Sequence, residues 1–218
     1  MSFQRSLTSA AAAASLGVLA CGQAHAALTS FTNAATFASA VVAPATDTFA
    51  FLPLDTVPSP STRTTGGYSY VVSAPSGLFG GGTAANPWLS TNLSGATLTF
   101  ATFTGGVGGI GGNFFGSDIA GAFLPSQSLS LTATDSLGAT LTQTIANATQ
   151  SSFLGFVSTG SLVSLAVSIA DRDAFVSADN VTIAAAPVPE PETYAMLLAG
   201  LAAMTGLARR RMAARLRR

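Results

Sequence analysis

No lysine occurs anywhere in this 218-residue chain, and its one cysteine and one histidine, Cys21 and His25, both fall within the first 26 residues. From residue 27 to residue 186 there is no imidazole, thiol, ammonium or glutamate. Ser-His-Asp and Cys-His catalysis, and zinc sites of the usual ligand types, are therefore excluded from that stretch. No disulfide can staple it either, so stability must come from core burial, for which about 160 residues suffice as one domain. Charge is scarce too. Between 27 and 186 stand seven aspartates, Asp47, Asp55, Asp118, Asp135, Asp171, Asp173 and Asp179, against two arginines, Arg63 and Arg172, a net charge of −5. Nucleic-acid binding needs clustered cations to displace counterions from phosphate and is excluded.

What the middle lacks is concentrated at the ends. Residues 1–26 have the three parts of a secretory signal peptide: Arg5 in a polar start, a small apolar run, and a small-x-small cleavage site at Ala24-His25-Ala26. Cleavage is expected after Ala26. Val18-Leu19-Ala20-Cys21 offers a competing lipoprotein reading, to which Leu19 fits poorly. At the other end, Pro187, Pro189 and Pro191 fix φ and remove backbone donors, which gives an extended, presented peptide. Residues 194–208 are almost wholly apolar. As a helix they would span roughly 22 Å against a hydrocarbon core of about 30 Å, a short transmembrane segment. Arg209, Arg210 and Arg211 follow, with three more arginines before the end. Such charges snorkel and stay on the cytoplasmic side, so the proline motif faces outward.

Val188-Pro189-Glu190-Pro191, the short apolar segment with Gly200 and Gly206, and the Arg209–Arg211 run together resemble the PEP-CTERM sorting signal of exported bacterial proteins. The resemblance implies recognition by an exosortase and processing near the proline and glutamate motif. It implies a chain exported through the Sec machinery of a Gram-negative bacterium, with a transient inner-membrane stage and either cleavage or retention of the C-terminal anchor. The destination is the cell surface, outer membrane or extracellular matrix.

The segment 27–186 reads as strands. Asn33 caps a short helix in which Phe37 and Val41 share a face. Strand-like runs follow at 48–52, 68–73, 97–104, 152–157, 164–169 and 180–184. Residues 128–132 and 139–142 alternate on either side of Asp135-Ser136-Leu137-Gly138, which has turn chemistry. Eight or nine short strands with Gly/Ser-rich loops predict a mainly β fold, a single jelly-roll-like antiparallel β-sandwich with one short N-terminal helix. Three segments result: a signal peptide at 1–26, the sandwich at 27–186 and the sorting signal at 187–218. The runs Phe31–Ala40, Gly111–Asp118, Phe153–Ser158 and Ala178–Val181 also resemble the exported domains that precede such tails, and those resemble carbohydrate-binding sandwiches in strand pattern.

Four features are candidate sites. Asp171, Asp173 and Asp179 form the densest oxygen-ligand cluster and could assist calcium binding, although a solvated loop neutralised by Arg172 explains them as well. Gly106-Val107-Gly108-Gly109-Ile110-Gly111 matches a dinucleotide fingerprint by letter, but no helix pattern follows, and a glycine loop is expected. Tyr68 and Tyr70 on one strand face, with Trp88 in a loop, could stack on sugars or pack in the core. The aspartates could also supply the carboxylate pair of a glycoside hydrolase. No cofactor other than calcium is implied. The expectation is a non-enzymatic surface or matrix protein associated with exopolysaccharide or biofilm; the alternatives are a carbohydrate-binding module and an aspartate-based glycoside hydrolase.

Overall fold

Fifteen strands and one short helix build two antiparallel sheets packed face to face in the computed structural model, which describes residues 27–186 and 197–205. The chain opens with β1 (Leu28–Phe31), α1 (Ala34–Ser39), β2 (Val42–Asp47), β3 (Thr56–Val57), β4 (Ser61–Thr65) and β5 (Tyr68–Ser73). It continues through β6 (Leu78–Thr83), β7 (Asn86–Thr91), β8 (Leu98–Thr104), β9 (Val107–Ser117) and β10 (Phe123–Leu124). It ends with β11 (Gln127–Asp135), β12 (Thr140–Ala148), β13 (Phe153–Ser158), β14 (Leu162–Ile169) and β15 (Phe175–Ala185). One sheet runs β12-β11-β14-β8-β5-β4. The larger runs β1-β13-β9-β15-β7-β6-β3, with β10 added on β9 and β2 on β15. The expected mainly β sandwich is the fold observed.

Period-two alternation explains the smaller sheet. Leu129, Leu131 and Ala133 of β11 and Leu165, Val167 and Ile169 of β14 are buried, while Ser130, Thr132 and Thr134 face away from them. The predicted hairpin is present. Asp135 Oδ1 accepts the Leu137 and Ala139 N–H groups, both at 2.9 Å, and Gly138 takes the positive φ that closes the turn. Tyr70, Phe100 and Phe114 stack across the inter-sheet core with centroids 5.9 and 6.4 Å apart.

The helix also forms as expected. Asn33 Oδ1 accepts the Ala35 and Thr36 N–H groups, which satisfies two donors that the helix cannot. Phe37 and Val41 pack in a separate small cluster with Val157 and Ala184.

The expected eight or nine strands are exceeded by the fifteen present, and local expectations fail as well. The glycine run is no loop: Val107–Ser117 is an eleven-residue strand paired with β13 and β15. Its glycines let neighbours lie flat on the sheet. A Cβ at Gly109 would stand 2.8 Å from Val41, and one at Gly111 would stand 2.7 Å from Phe153. Conversely, 48–52 is not a strand; β2 stops at Asp47, and Phe49 and Phe51 take φ values of 52° and 67°, two left-handed positions in three residues that turn the chain out of the sheet.

The predicted N-terminal signal helix lies outside the described residues. Residues 197–205 are helical and exposed. Among the described residues no helix is long and apolar enough to cross a membrane.

Candidate functional site: a polar groove on the larger sheet

The outer face of the larger sheet is divided by what covers it. Toward β13 it lies under α1, with Phe37 resting on Gly155. Toward β7, Trp88, Phe115 and Phe123 stack edge to face, with centroids 5.2 and 5.8 Å apart. Between these covers the register sets Asp179 of β15 beside Asn113 of β9.

Past Asp179 the pairing slips and resumes only at Thr182, and Asn180 takes a φ of 50°. In a regular strand consecutive side chains face opposite sides. The bulge breaks that rule, so Asp179 and Asn180 both line one groove. Its volume is about 540 Å³, and the remaining walls are Asn86, Asn113, Phe123 and the β12–β13 turn Thr149-Gln150-Ser151.

Amides and hydroxyls dominate this lining, with one carboxylate, one phenyl ring and no cation. Asp179 is only 6% exposed. Burial pushes its carboxyl above the usual carboxylate value, and the Asn180 N–H, donating to Oδ1 at 2.7 Å, offsets part of that. Such a surface can exchange hydrogen bonds in both directions with a polyhydroxylated molecule.

A smaller cavity of about 200 Å³ opens between Phe79, Ile119 and Phe175, with Asp118 and Ser90 in its wall. Its polar groups are already engaged. Asp118 Oδ1 accepts the Ala120 and Ala122 N–H groups, and Ser90, Ser117 and Ser177 form a buried hydroxyl triangle with sides of 2.8 to 3.2 Å.

The structure does not bring the three predicted calcium ligands together. Asp171 and Asp173 lie exposed between β14 and β15, where Asp171 Oδ1 accepts the Asp173 N–H at 3.0 Å. Asp179 is four residues into β15, and a rise of about 3.3 Å per residue carries it away from that loop. Among the described residues no three carboxylate, imidazole or thiolate side chains are grouped so as to hold a metal ion.

The hydrolase alternative loses its geometry as well. Asp47 is ion-paired, while Asp55, Asp118, Asp135, Asp171 and Asp179 each hold local backbone N–H groups. The groove contains one carboxylate only, so no pair faces across it.

The aromatic platform is likewise corrected. Tyr68, Tyr70 and Trp88 are buried, and Trp88 belongs to β7 rather than to a loop. Their rings fill the space between the layers and under the 118–122 segment, so none is presented to a sugar. Ala24, Ala26, Val188, Pro189, Glu190, Pro191, Arg209, Arg210 and Arg211 lie outside the described residues.

Sequence reasoning missed Asn86, Asn113, Phe123 and the 149–151 turn. Asn113 carried a usable signal, a lone amide inside a glycine and aromatic run. The others are joined only by the fold.

Among solved structures, the chain is similar to the N-terminal CBM22-1-CBM22-2 tandem domain of Paenibacillus barcinonensis Xyn10C. The identity is 16% and the TM-score 0.33, over 66% of this chain and 46% of that one, so the chain spans about half of its length. It is also similar to the CBM22-1 xylan-binding domain of the same protein, at 17% identity and a TM-score of 0.29, over 59% of this chain and 86% of that one. No curated protein matches the chain. The family model for the PEP-CTERM protein-sorting motif matches residues 187–211, so this chain carries the sorting signal of an exported, exosortase-processed protein.

Proposed function

We propose that the protein is a non-enzymatic component of the cell surface or extracellular matrix, delivered by its two terminal signals and associated there with exopolysaccharide or biofilm. The matched motif at 187–211 carries this reading. In it, the signal peptide is removed after Ala26, and exosortase acts near Val188, Pro189, Glu190 and Pro191. Arg209, Arg210 and Arg211 hold the C-terminal end on the cytoplasmic side until that step. The stripped repertoire of residues 27–186, without histidine, cysteine, lysine or glutamate, supports a role in adhesion or scaffolding over chemistry.

The test is the mass of the protein recovered from membranes and from culture supernatant, for the wild type and for Glu190→Ala. Material shortened at both ends outside the cell, with the variant retained in membranes, is expected. Full-length polypeptide dissolved in the cytosol would overturn the proposal.

The groove over β9 and β15 favours a second reading, a carbohydrate-binding module. Its amide and hydroxyl lining suits a ligand rich in hydroxyl groups, and without three convergent carboxylates this reading does not rely on calcium.

A further inference from the structure

We infer that the groove is a subsite for an uncharged sugar of a polysaccharide and that Asp179 makes it reject acidic ones. The inference rests on the carbohydrate-binding reading above and adds the position of the site and the chemical class of its ligand.

Three observations carry it. First, the bulge after Asp179 places two consecutive polar side chains in one concavity, which an unbroken strand cannot do. Second, among the described residues no cation pairs with Asp179; Asp135 is also buried without a counter-ion but spends Oδ1 on two turn N–H groups, whereas Asp179 lines an open groove. Arg63 is committed to Asp47, and Arg172 lies exposed against Gly95 in the turn before β8. A carboxylate hidden in a concave site without a counter-ion is costly to keep unless something besides stability uses it. Third, the donors around it, Asn86, Asn113, Gln150 and Asn180, are neutral amides. Sugar hydroxyls can donate to Asp179 and accept from these amides, while Phe123 offers an apolar patch for ring C–H groups.

The same inventory disfavours uronic acids. A sugar carboxylate in the groove would meet Asp179 with no cation to compensate it, on a domain whose net charge is −5. Neutralising Asp179 should therefore change which polymers bind.

The experiment is affinity electrophoresis of the mature exported protein through gels containing neutral polymers (xylan, glucomannan, β-glucan) or uronate polymers (polygalacturonate, alginate), with and without EDTA. Wild type is compared with Asn113→Ala, Asn86→Ala and Asp179→Asn, each checked for unchanged thermal unfolding cooperativity. Asn86 is exposed, so its truncation leaves the core untouched. The expected result is retardation of the wild type by at least one neutral polymer, with or without EDTA. Binding should weaken about tenfold in Asn113→Ala and Asn86→Ala, the scale of one or two lost hydrogen bonds. Asp179→Asn should gain retardation by uronate polymers.

Neutral-polymer binding that ignores all three substitutions would overturn the groove assignment while leaving a carbohydrate-binding protein. Equal retardation of the wild type by uronates would overturn the selectivity, and loss of binding in EDTA would replace it with a metal-dependent site. No retardation in any polymer would overturn the carbohydrate reading itself.

Discussion

Arg63 grips both carboxylate oxygens of Asp47, Nε donating to Oδ2 at 2.6 Å and Nη2 to Oδ1 at 2.7 Å. Tyr70 Oη donates to Oδ2 at 2.8 Å, the Phe49 N–H to Oδ1 at 2.9 Å, and the guanidinium lies 4.9 Å from the Phe49 ring centroid. The pair joins β2 of one sheet to β4 of the other through a bidentate, charge-assisted contact. Burial alone would raise the Asp47 carboxyl, but the hydrogen bonds from Arg63, Tyr70 and Phe49 outweigh it and leave the group below its ordinary value of 3.8.

A folded-state value below the unfolded one means that this clasp stabilises fully above about pH 3.8 and is lost as pH falls through the lower folded value. Asp47→Asn should cost on the order of 3 kcal/mol at pH 7, because Arg63 is left partly buried and uncompensated. The gap from wild type should shrink below pH 3.8. Urea unfolding at pH 7 and pH 3 measures both, and an equal gap at the two pH values would contradict the assignment.

Asp179 has the opposite sign. Its carboxyl is raised by burial, so the folded state binds the proton more tightly than the unfolded chain does, and stability falls as pH rises from about 3.8 through the higher folded value. Asp179→Asn keeps the Oδ1 acceptor for the Asn180 N–H and removes the charge. Its melting temperature should exceed that of the wild type at pH 7, with the advantage vanishing toward pH 3. A lower melting temperature at pH 7 would show that the carboxylate is favourably solvated or paired.

Close approach at Gly155 should be among the least forgiving features of the domain. A Cβ there would stand 2.6 Å from Phe37 Cδ2, so Gly155→Ala must push α1 off the sheet, at about 1–3 kcal/mol. Gly67→Ala meets nothing within 4 Å and should be near neutral. Thermal melts of the two variants side by side make the comparison, and similar losses would argue against the packing of Phe37 on β13.

Asn33→Ala removes the acceptor for two helix N–H groups and should cost about 1 kcal/mol. Because α1 covers one flank of the larger sheet, amide exchange should accelerate at residues 34–39 before it does in β9. Uniform acceleration across both would mean that the helix unfolds only with the whole domain.

Local chemistry made part of this molecule legible. The Asn33 cap, the Asp135–Gly138 turn and the alternation of 128–132 each follow from residues a few positions apart, and each is present. What stayed hidden depends on contacts between distant segments. The 106–111 run reads as a loop because glycine has low strand propensity, yet Gly109 and Gly111 of β9 are required by Val41, Phe37 and Phe153 resting on the sheet. Residues 48–52 carry β-branched and aromatic side chains but are bent away by the demands of Asp47, whose Oδ1 holds the Phe49 N–H. Of the groove, the sequence singled out Asp179, grouped with Asp171 and Asp173, from which the fold separates it. Its true neighbours, Asn113 and the 149–151 turn, come from strands far apart in the chain.

β15 is the last strand before the sorting segment, and its final residues pair on both edges, with Val107 of β9 and Val42 of β2 at Ala185. Any tension transmitted from a C-terminal tether would pull along this interior strand. Its ladder bonds lie across the direction of pull and must shear together rather than unzip one at a time. The order of strands thus gives the domain a mechanically resistant C-terminal end for as long as the tail is tethered.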